Sequence, residues 1–541
     1  MASSTSATVF RDLSLPSGLE LATKDEAKGR GLYSTRSFEV GAVVLADERL
    51  VGIQTLDSRR HVPTCQYCFG FLGSLELQIS LLANRINPSV LATETPVDKL
   101  NLPSLPKCPT KLLPITRCGQ GCGQIYCSEE CRARAWTSGH NKLCIGLIQD
   151  LKHPLIQFKI HAMEHNEVFL QVAAVLVFIM NEVEIGQVTL EKALERFPFC
   201  KGLWWDIVRS RQPVNLAGEA QKEQEALEED LKADILQMTS ASLSLLTQAL
   251  NPSPEFASLF TYDFYSSIVG MFEYNQLGIE LESPVARYYR VLFGPQVDQD
   301  IETDPEGKLA SARNKMLYAI KDIEHVLTLE DDGCGSDCSS DDEPEEKEKD
   351  QEGQDPTTSA LPWPCAVCTF LNPGQSVVCG ACEMPKEGVD EEEEEVERDT
   401  GNSGPLDDID IRHVLQPFDG QALFPRLCFV NHSCEANCRV MFSDAIDDSK
   451  EGTGDEPVSQ GESKDQEKCA ESKEGDIRRG GLVARLTAIR PIALGEEITF
   501  SYLNKEVAEK ETPARRKWLF DYGFVCQCDR CGPADLTEWG Q

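Results

Sequence analysis

The chain has 541 residues, 41% of them apolar, and a formal net charge of −37. That length exceeds one ordinary domain, so two to four modules are expected around a real apolar core. The charge is concentrated: residues 331–360 carry 12 acids against 2 bases, 383–410 carry 13 against 2, and 444–476 carry 12 against 4, which leaves only about −8 on the rest. Such stretches hold few large apolar residues, cannot offset their ordering entropy, and are expected to be disordered, solubilising linkers. They repel phosphate, which argues against direct nucleic-acid binding. The longest apolar stretch, residues 168–180, contains Gln171 and is too short to cross a bilayer. No membrane span or secretory signal is expected. The 22 cysteines cluster at CxxC-type spacings. Metal thiolates in a reducing compartment, cytoplasm and/or nucleus, are therefore favoured over a secreted disulfide scaffold.

Residues 16–64 read as strands, at Leu19-Glu20-Leu21, Gly31-Leu32-Tyr33-Ser34 and Gly41-Ala42-Val43-Val44-Leu45, separated by glycine-containing turns. Residues 65–144 are cysteine-rich. Residues 145–330 are mostly helical, with helix-period patterns over 167–184, 219–250 and 309–329. An acidic linker (331–360), a Trp/Cys island (361–386) and a second acidic linker (387–415) follow. Strand composition returns over 416–504, interrupted by an acidic loop at 444–478. A last helix, about 505–521, leads to terminal cysteines in a segment ending near 535. The fold class is α+β. The acidic inserts must leave and re-enter the fold at neighbouring points, because surface excursions add little loop entropy per residue.

Cys65-x2-Cys68, Cys118-x3-Cys122, Cys127-x3-Cys131 and His140-x3-Cys144 supply eight ligands, enough for two tetrahedral zinc ions. The x3 pairs suit short helices, where residues four apart project together. Cys108, inside the 49-residue gap between the first two pairs, is an alternative to Cys118. The pattern resembles the MYND finger. That resemblance implies interleaving: Cys65, Cys68, Cys127 and Cys131 on one ion, and Cys118, Cys122, His140 and Cys144 on the other. Bracing of the neighbouring domain is the expected role.

Trp363-x-Cys365-x2-Cys368-x3-Asn372-x6-Cys379-x2-Cys382 resembles the RanBP2-type zinc finger. Four thiolates close one site in a segment too small to fold without metal. Thr369-Phe370 follows the second cysteine as in ubiquitin-binding members, which implies a ubiquitin contact; a structural or other protein contact is the alternative. Between two acidic linkers the finger reads as a tethered recognition module.

Near the C-terminus stand Asn431-His432-Ser433-Cys434, then Gly495-Glu496-Glu497-Ile498 running into Ser501-Tyr502, then Cys526-x-Cys528-x2-Cys531. With Lys28-Gly29-Arg30-Gly31 far upstream, this order resembles a SET domain. The whole arrangement resembles the SET and MYND domain-containing protein-lysine methyltransferases, most of all the fifth animal member, with the RanBP2-type finger as an addition. The resemblance implies S-adenosylmethionine as cofactor, held by Lys28, Gly29, Arg30, Gly31, Asn275, Asn431, His432, Tyr502 and Phe524. It implies Tyr502 as the catalytic residue and Tyr522 and Phe524 as walls of a lysine channel. It also implies a post-SET zinc on Cys434, Cys526, Cys528 and Cys531, the fourth ion expected.

Methyl transfer to lysine is an in-line displacement, so the chain must supply positioning and electrostatics rather than a covalent intermediate. No general base is assigned. The expected substrate is a basic, lysine-bearing segment of a histone or non-histone protein. The competing reading is a catalytically inactive scaffold that binds ubiquitin or peptides through its fingers. Retention of Asn431, His432 and Tyr502 favours the enzyme.

Overall fold

Apolar runs punctuated by glycine, drawn from both ends of the chain, build the β-rich part. The computed structural model describes residues 14–83, 91, 100–197, 202–210, 219–294, 297, 307–332, the pairs 363–364 and 371–372, 414–443 and 482–534, save for 26–27, 106–107 and 187. β1 (Leu19–Asp25) and β2 (Gly29–Ser34) form an antiparallel hairpin, and β3 (Val43–Glu48) and β4 (Val51–Gln54) follow. The cysteine-rich stretch adds the short antiparallel pair β5 (Thr116–Arg117) and β6 (Ile125–Tyr126). β7 (Gln276–Leu281) lies inside the stretch read as helical. Its Ile279 and Leu281 are buried while Gly278 and Glu280 are exposed, the period of two that marks a strand.

β8 (Trp363–Pro364) pairs with β9 (Leu371–Asn372). The C-terminal part contributes β10 (Phe418–Leu423), β11 (Asn431–His432), β12 (Cys438–Ser443), β13 (Val483–Ala488) and β14 (Thr499–Phe500). The order β4-β10-β7 makes one sheet and β12-β13-β3 another. Each therefore joins N-terminal and C-terminal chain. Between them lies an apolar core that includes Leu32, Leu45, Ile279, Phe418, Val430, Leu486 and Ile498. Ser443 stands opposite Val483, so the acidic segment between β12 and β13 leaves and returns at one edge. Val414 and Leu415 pack with Ile320 and Ile323 of the helix Lys308–Asp332, which brings the ends of the long central insert together as well.

A second core is helical. Helices Pro154–His165, Val168–Glu184, Glu219–Leu250 and Tyr262–Asn275 enclose Phe169, Val172, Leu176, Tyr265 and Phe272. Val168–Glu184 is buried on most of its circumference, as its near-continuous apolar sequence requires. Two polar residues on it bond at opposite ends, although Gln171 Oε1 has no partner among the described residues. Gln171 donates to Gln276 (3.2 Å) and Gln421 (3.0 Å), and Asn181 donates to the Thr137 carbonyl (2.8 Å) and Asn141 (2.9 Å).

Two local expectations differ. Leu56–His61, inside the strand-rich start, is a helix capped by Thr55. The last helix divides into Lys505–Ala508 and Thr512–Phe520, because Pro513 lacks an N–H and starts a new helix instead of continuing one. Among the described residues no helix is long and apolar enough to cross a membrane.

Asp47 on β3 is fully buried. One carboxylate oxygen accepts the backbone N–H groups of Arg426 (2.7 Å) and Leu427 (2.9 Å), and the other takes the Arg426 guanidinium (3.3 Å). This caps the 3-10 turn Leu427–Phe429 that feeds β11. Burial pushes the carboxyl up to about 6 from 3.8, against the pull of those donors. A carboxyl raised in the folded chain binds its proton more tightly there. Its stabilising contribution is therefore full below pH 4 and declines as pH rises from about 4 to about 6. Urea unfolding across that window should show this slope, and Asp47→Asn should flatten it. Asp47→Ala should cost roughly 1–3 kcal/mol by orphaning buried donors.

Candidate active site and metal centres

Three groups of four soft ligands form among the described residues, each with its ligand atoms within 4.8 Å of one another. The first is Cys65, Cys68, Cys127 and Cys131. Phe69, at φ 64°, turns the chain so that its N–H reaches the Cys65 carbonyl (2.8 Å). Cys131 lies on the helix Glu129–Ala135, whose cap Ser128 accepts the Cys131 N–H (3.1 Å). The second is Cys118, Cys122, His140 and Cys144. His140 Nε2 stands 3.3 Å from Cys118 Sγ and 3.4 Å from Cys122 Sγ.

Cys118 and Cys122 sit on a turn rather than the expected helix, because Gly121 and Gly123 take positive φ. His140 ends a π-helical turn, Trp136–His140, which presses against the helical insert: a Cβ on Gly139 would lie 2.3 Å from Val177. Cys108 is buried in a separate apolar cluster with Leu105 and Tyr288, so Cys118 fills the ligand position. The third group is Cys434, Cys526, Cys528 and Cys531, with Cys434 Sγ 3.5 Å from Cys531 and 4.0 Å from Cys526. Four convergent thiolates, or three and an imidazole, are the donor sets zinc prefers. Cys365, Cys368, Cys379, Cys382, Thr369 and Phe370 lie outside the described residues.

The other candidate residues converge where β11 pairs in parallel with β14. His432 is buried; its Nδ1 accepts the Tyr502 N–H (3.0 Å) and its Nε2 lies 3.3 Å from Cys434 Sγ. Asn431 donates to the Arg30 carbonyl (3.2 Å) and to Glu497 (2.8 Å), while Lys28 binds the other Glu497 oxygen (3.0 Å). Gly29 has φ 72°, and a Cβ on Gly31 would lie 2.8 Å from the Asn431 amide and 2.9 Å from Glu497. Both glycines are thus required by geometry. Tyr502 donates its hydroxyl to the Val430 carbonyl (2.8 Å), and burial pushes its phenol well above the ordinary range. The Tyr502 ring packs 5.4 Å from His432, 5.2 Å from Tyr522 and 6.3 Å from Phe524.

Tyr502 and Tyr522 line a cleft of about 790 Å³ that also exposes Asn275, Glu280, Asp419 and Glu435. Asn275 ends the helix Tyr262–Asn275, and its amide donates to the Met271 carbonyl (3.0 Å). Two residues that sequence reading passed over hold the site. Asn437, almost fully buried, accepts the Thr499 N–H (2.9 Å) and donates to the Glu497 carbonyl (2.7 Å) and Glu496 carboxylate (3.1 Å). Glu497 joins Lys28 to Asn431. Its place in Gly495-Glu496-Glu497 was visible, but its partners were not.

A SET domain is matched over residues 339–503. That stretch of the chain is similar to a SET domain. β3, β4 and β7 precede the matched stretch and complete its two three-stranded sheets, while β1 and β2 pair with each other. The chain is similar to the Arabidopsis thaliana histone-lysine N-methyltransferase ATXR2, 23% identical over 559 residues, covering 93% of this chain and 88% of that protein. It is 30% identical over 131 residues to the Gallus gallus protein-lysine N-trimethyltransferase SMYD5, covering 24% of this chain and 28% of that one. It is 29% identical over 117 residues to the Homo sapiens histone-lysine N-methyltransferase SMYD3, covering 21% and 18%. The likenesses to the last two thus span less than a third of either relative. Together they support a SET-domain methyltransferase.

Gly31→Ala should displace the Asn431 amide. The Asn431 side-chain amide resonances should then shift by NMR, with the thermal midpoint little changed.

Proposed function

We propose that this chain is a protein-lysine N-methyltransferase that uses S-adenosylmethionine and acts on a basic, lysine-bearing segment of a histone or non-histone protein. The observation that carries the reading is the tie between His432 and Tyr502. The imidazole accepts the Tyr502 N–H, and both residues sit on neighbouring chain ends held by β11 and β14. Bound here, the cofactor would supply a methyl group on a cationic sulfur, already a strong electrophile.

The residues present fit that group. Gly31 leaves room for the Asn431 amide and the Glu497 carboxylate, and Gly29 supplies the left-handed turn before it, so the loop sets Asn431 in place to meet the cofactor. His432, Tyr502 and Phe524 form one aromatic cluster, whose ring faces attract positive charge. The Tyr502 hydroxyl donates its hydrogen bond to the Val430 carbonyl, which leaves its oxygen lone pairs to accept from a substrate amine. Raised by burial, the phenol stays neutral, so its role is to orient the amine rather than to remove a proton as phenolate. Glu280, Asp419 and Glu435, against Arg439, give the cleft a net acidic lining that complements a basic segment.

In this reading the first two ligand groups are the two zinc sites of a MYND-type finger that braces the fold. The group at Cys434 is a post-SET zinc, and Cys365, Cys368, Cys379 and Cys382 hold a fourth ion in a RanBP2-type finger. Thr369 and Phe370 of that finger would contact ubiquitin. The enzyme would work in the cytoplasm and/or nucleus.

Radiolabel transfer from S-adenosylmethionine to proteins of a cell lysate tests the reading. Tyr502→Phe should lower transfer roughly 100-fold or more while keeping cofactor affinity within a few-fold. His432→Ala should lose both. Folded, zinc-loaded parent protein that binds no S-adenosylmethionine would contradict the reading and favour a non-catalytic scaffold.

A further inference from the structure

We infer that Arg515 is a positioning residue for the C-terminal metal centre: its guanidinium secures the Cys531 thiolate and so keeps zinc, and the aromatic segment 522–524, in place. This rests on the reading that Cys434, Cys526, Cys528 and Cys531 hold zinc.

Arg515 lies on the helix Thr512–Phe520 and is only 3% exposed. A guanidinium so deeply buried needs partners for its charge. Its Nη2 donates to Cys531 Sγ (3.2 Å) and to Thr512 Oγ1 (2.9 Å), and its Nη1 donates to the Lys510 carbonyl. Zinc with four thiolates carries an excess of two negative charges. A guanidinium against one sulfur offsets half of that excess.

The adjacent Arg516 takes a different task. It donates to the carbonyls of Cys526 (3.1 Å), Cys531 (3.1 Å), Gly532 (2.8 Å) and Pro533 (3.1 Å). One arginine therefore holds the loop's backbone and the other holds a ligand sulfur. Between this helix and the terminal cysteines run Tyr522 and Phe524, packed on Tyr502 and His432. Loss of this zinc would loosen both rings from Tyr502 and His432.

The test is zinc release from the full, zinc-replete chain to a chromophoric chelator. Cys528→Ser identifies the ion in question, since it lacks that one alone. Arg515→Met should release the same single ion about 10- to 100-fold faster, with the remaining ions leaving at parental rates. Arg515→Lys, which keeps charge and most of the bulk but not the fork, should fold and show a smaller acceleration of that ion. Thr512→Val removes the other Nη2 contact without touching sulfur and should behave like the parent.

Parental release from Arg515→Lys and Arg515→Met would overturn the inference. So would Thr512→Val releasing this ion as fast as Arg515→Met, because Arg515 would then act through the helix start. If Cys528→Ser and the parent hold equal zinc, the site binds no metal and the inference falls. None of these readings requires methyl transfer, so failure of the enzymatic proposal would be seen separately.

Discussion

Two residues of parallel pairing carry the site. β11 and β14 share only Asn431 with Thr499 and His432 with Phe500. A ladder that short cannot hold itself, and parallel pairing is the weaker kind. Side chains make up the difference. Asn437 supplies an acceptor and two donors to the chain around β14, in an almost fully buried position where hydrogen bonds are strong and unpaired groups costly. The Ser433 N–H reaches the Phe500 carbonyl (3.2 Å), and Tyr502 closes the arrangement at both its N–H and its hydroxyl. Asp47 fixes the turn that enters β11 from the other side.

From that pairing the four residues Asn431 to Cys434 divide their work by chain position. Asn431 faces the glycine loop of the N-terminal hairpin, His432 faces Tyr502, and Cys434 faces the terminal cysteines. Alternation along a strand sends successive side chains to opposite sides, so one short segment touches three separate parts of the chain. The proposed metal ligands, cofactor residues and catalytic tyrosine are thus not independent modules. Displacing Cys434 by an ångström must also move His432, which lies within hydrogen-bonding distance of its sulfur.

Much of this was legible from residues alone where partners are local. Ligand pairs spaced by two or three residues announce themselves, and so do Asn431-His432 and Tyr502 within their motifs. What the sequence hid was set by distant contacts. Asn437 reads as one polar residue in a loop, because its partners lie about 60 positions on. Asp47 reads as a solvent-facing strand residue until Arg426, 379 positions away, is seen to cover it. Arg515 and Arg516 read as surface cations of a helix, yet both point at the terminal loop. Other differences had readable causes that composition masked. Gly121 and Gly123 bend the Cys118 turn away from a helix, Pro513 divides the last helix, and Gln276 to Leu281 alternate within a helical neighbourhood.

The central claim is that the segment from Asn431 to Cys434 couples metal to cofactor. The most direct measurement is calorimetric titration of S-adenosylmethionine into zinc-replete protein and into Cys528→Ser protein, with secondary structure compared by circular dichroism. The account predicts equal folding signals and cofactor affinity lowered about tenfold or more in the variant, the loss expected when a metal-held shell is released. Equal affinity in two folded proteins that differ by one zinc ion would contradict it.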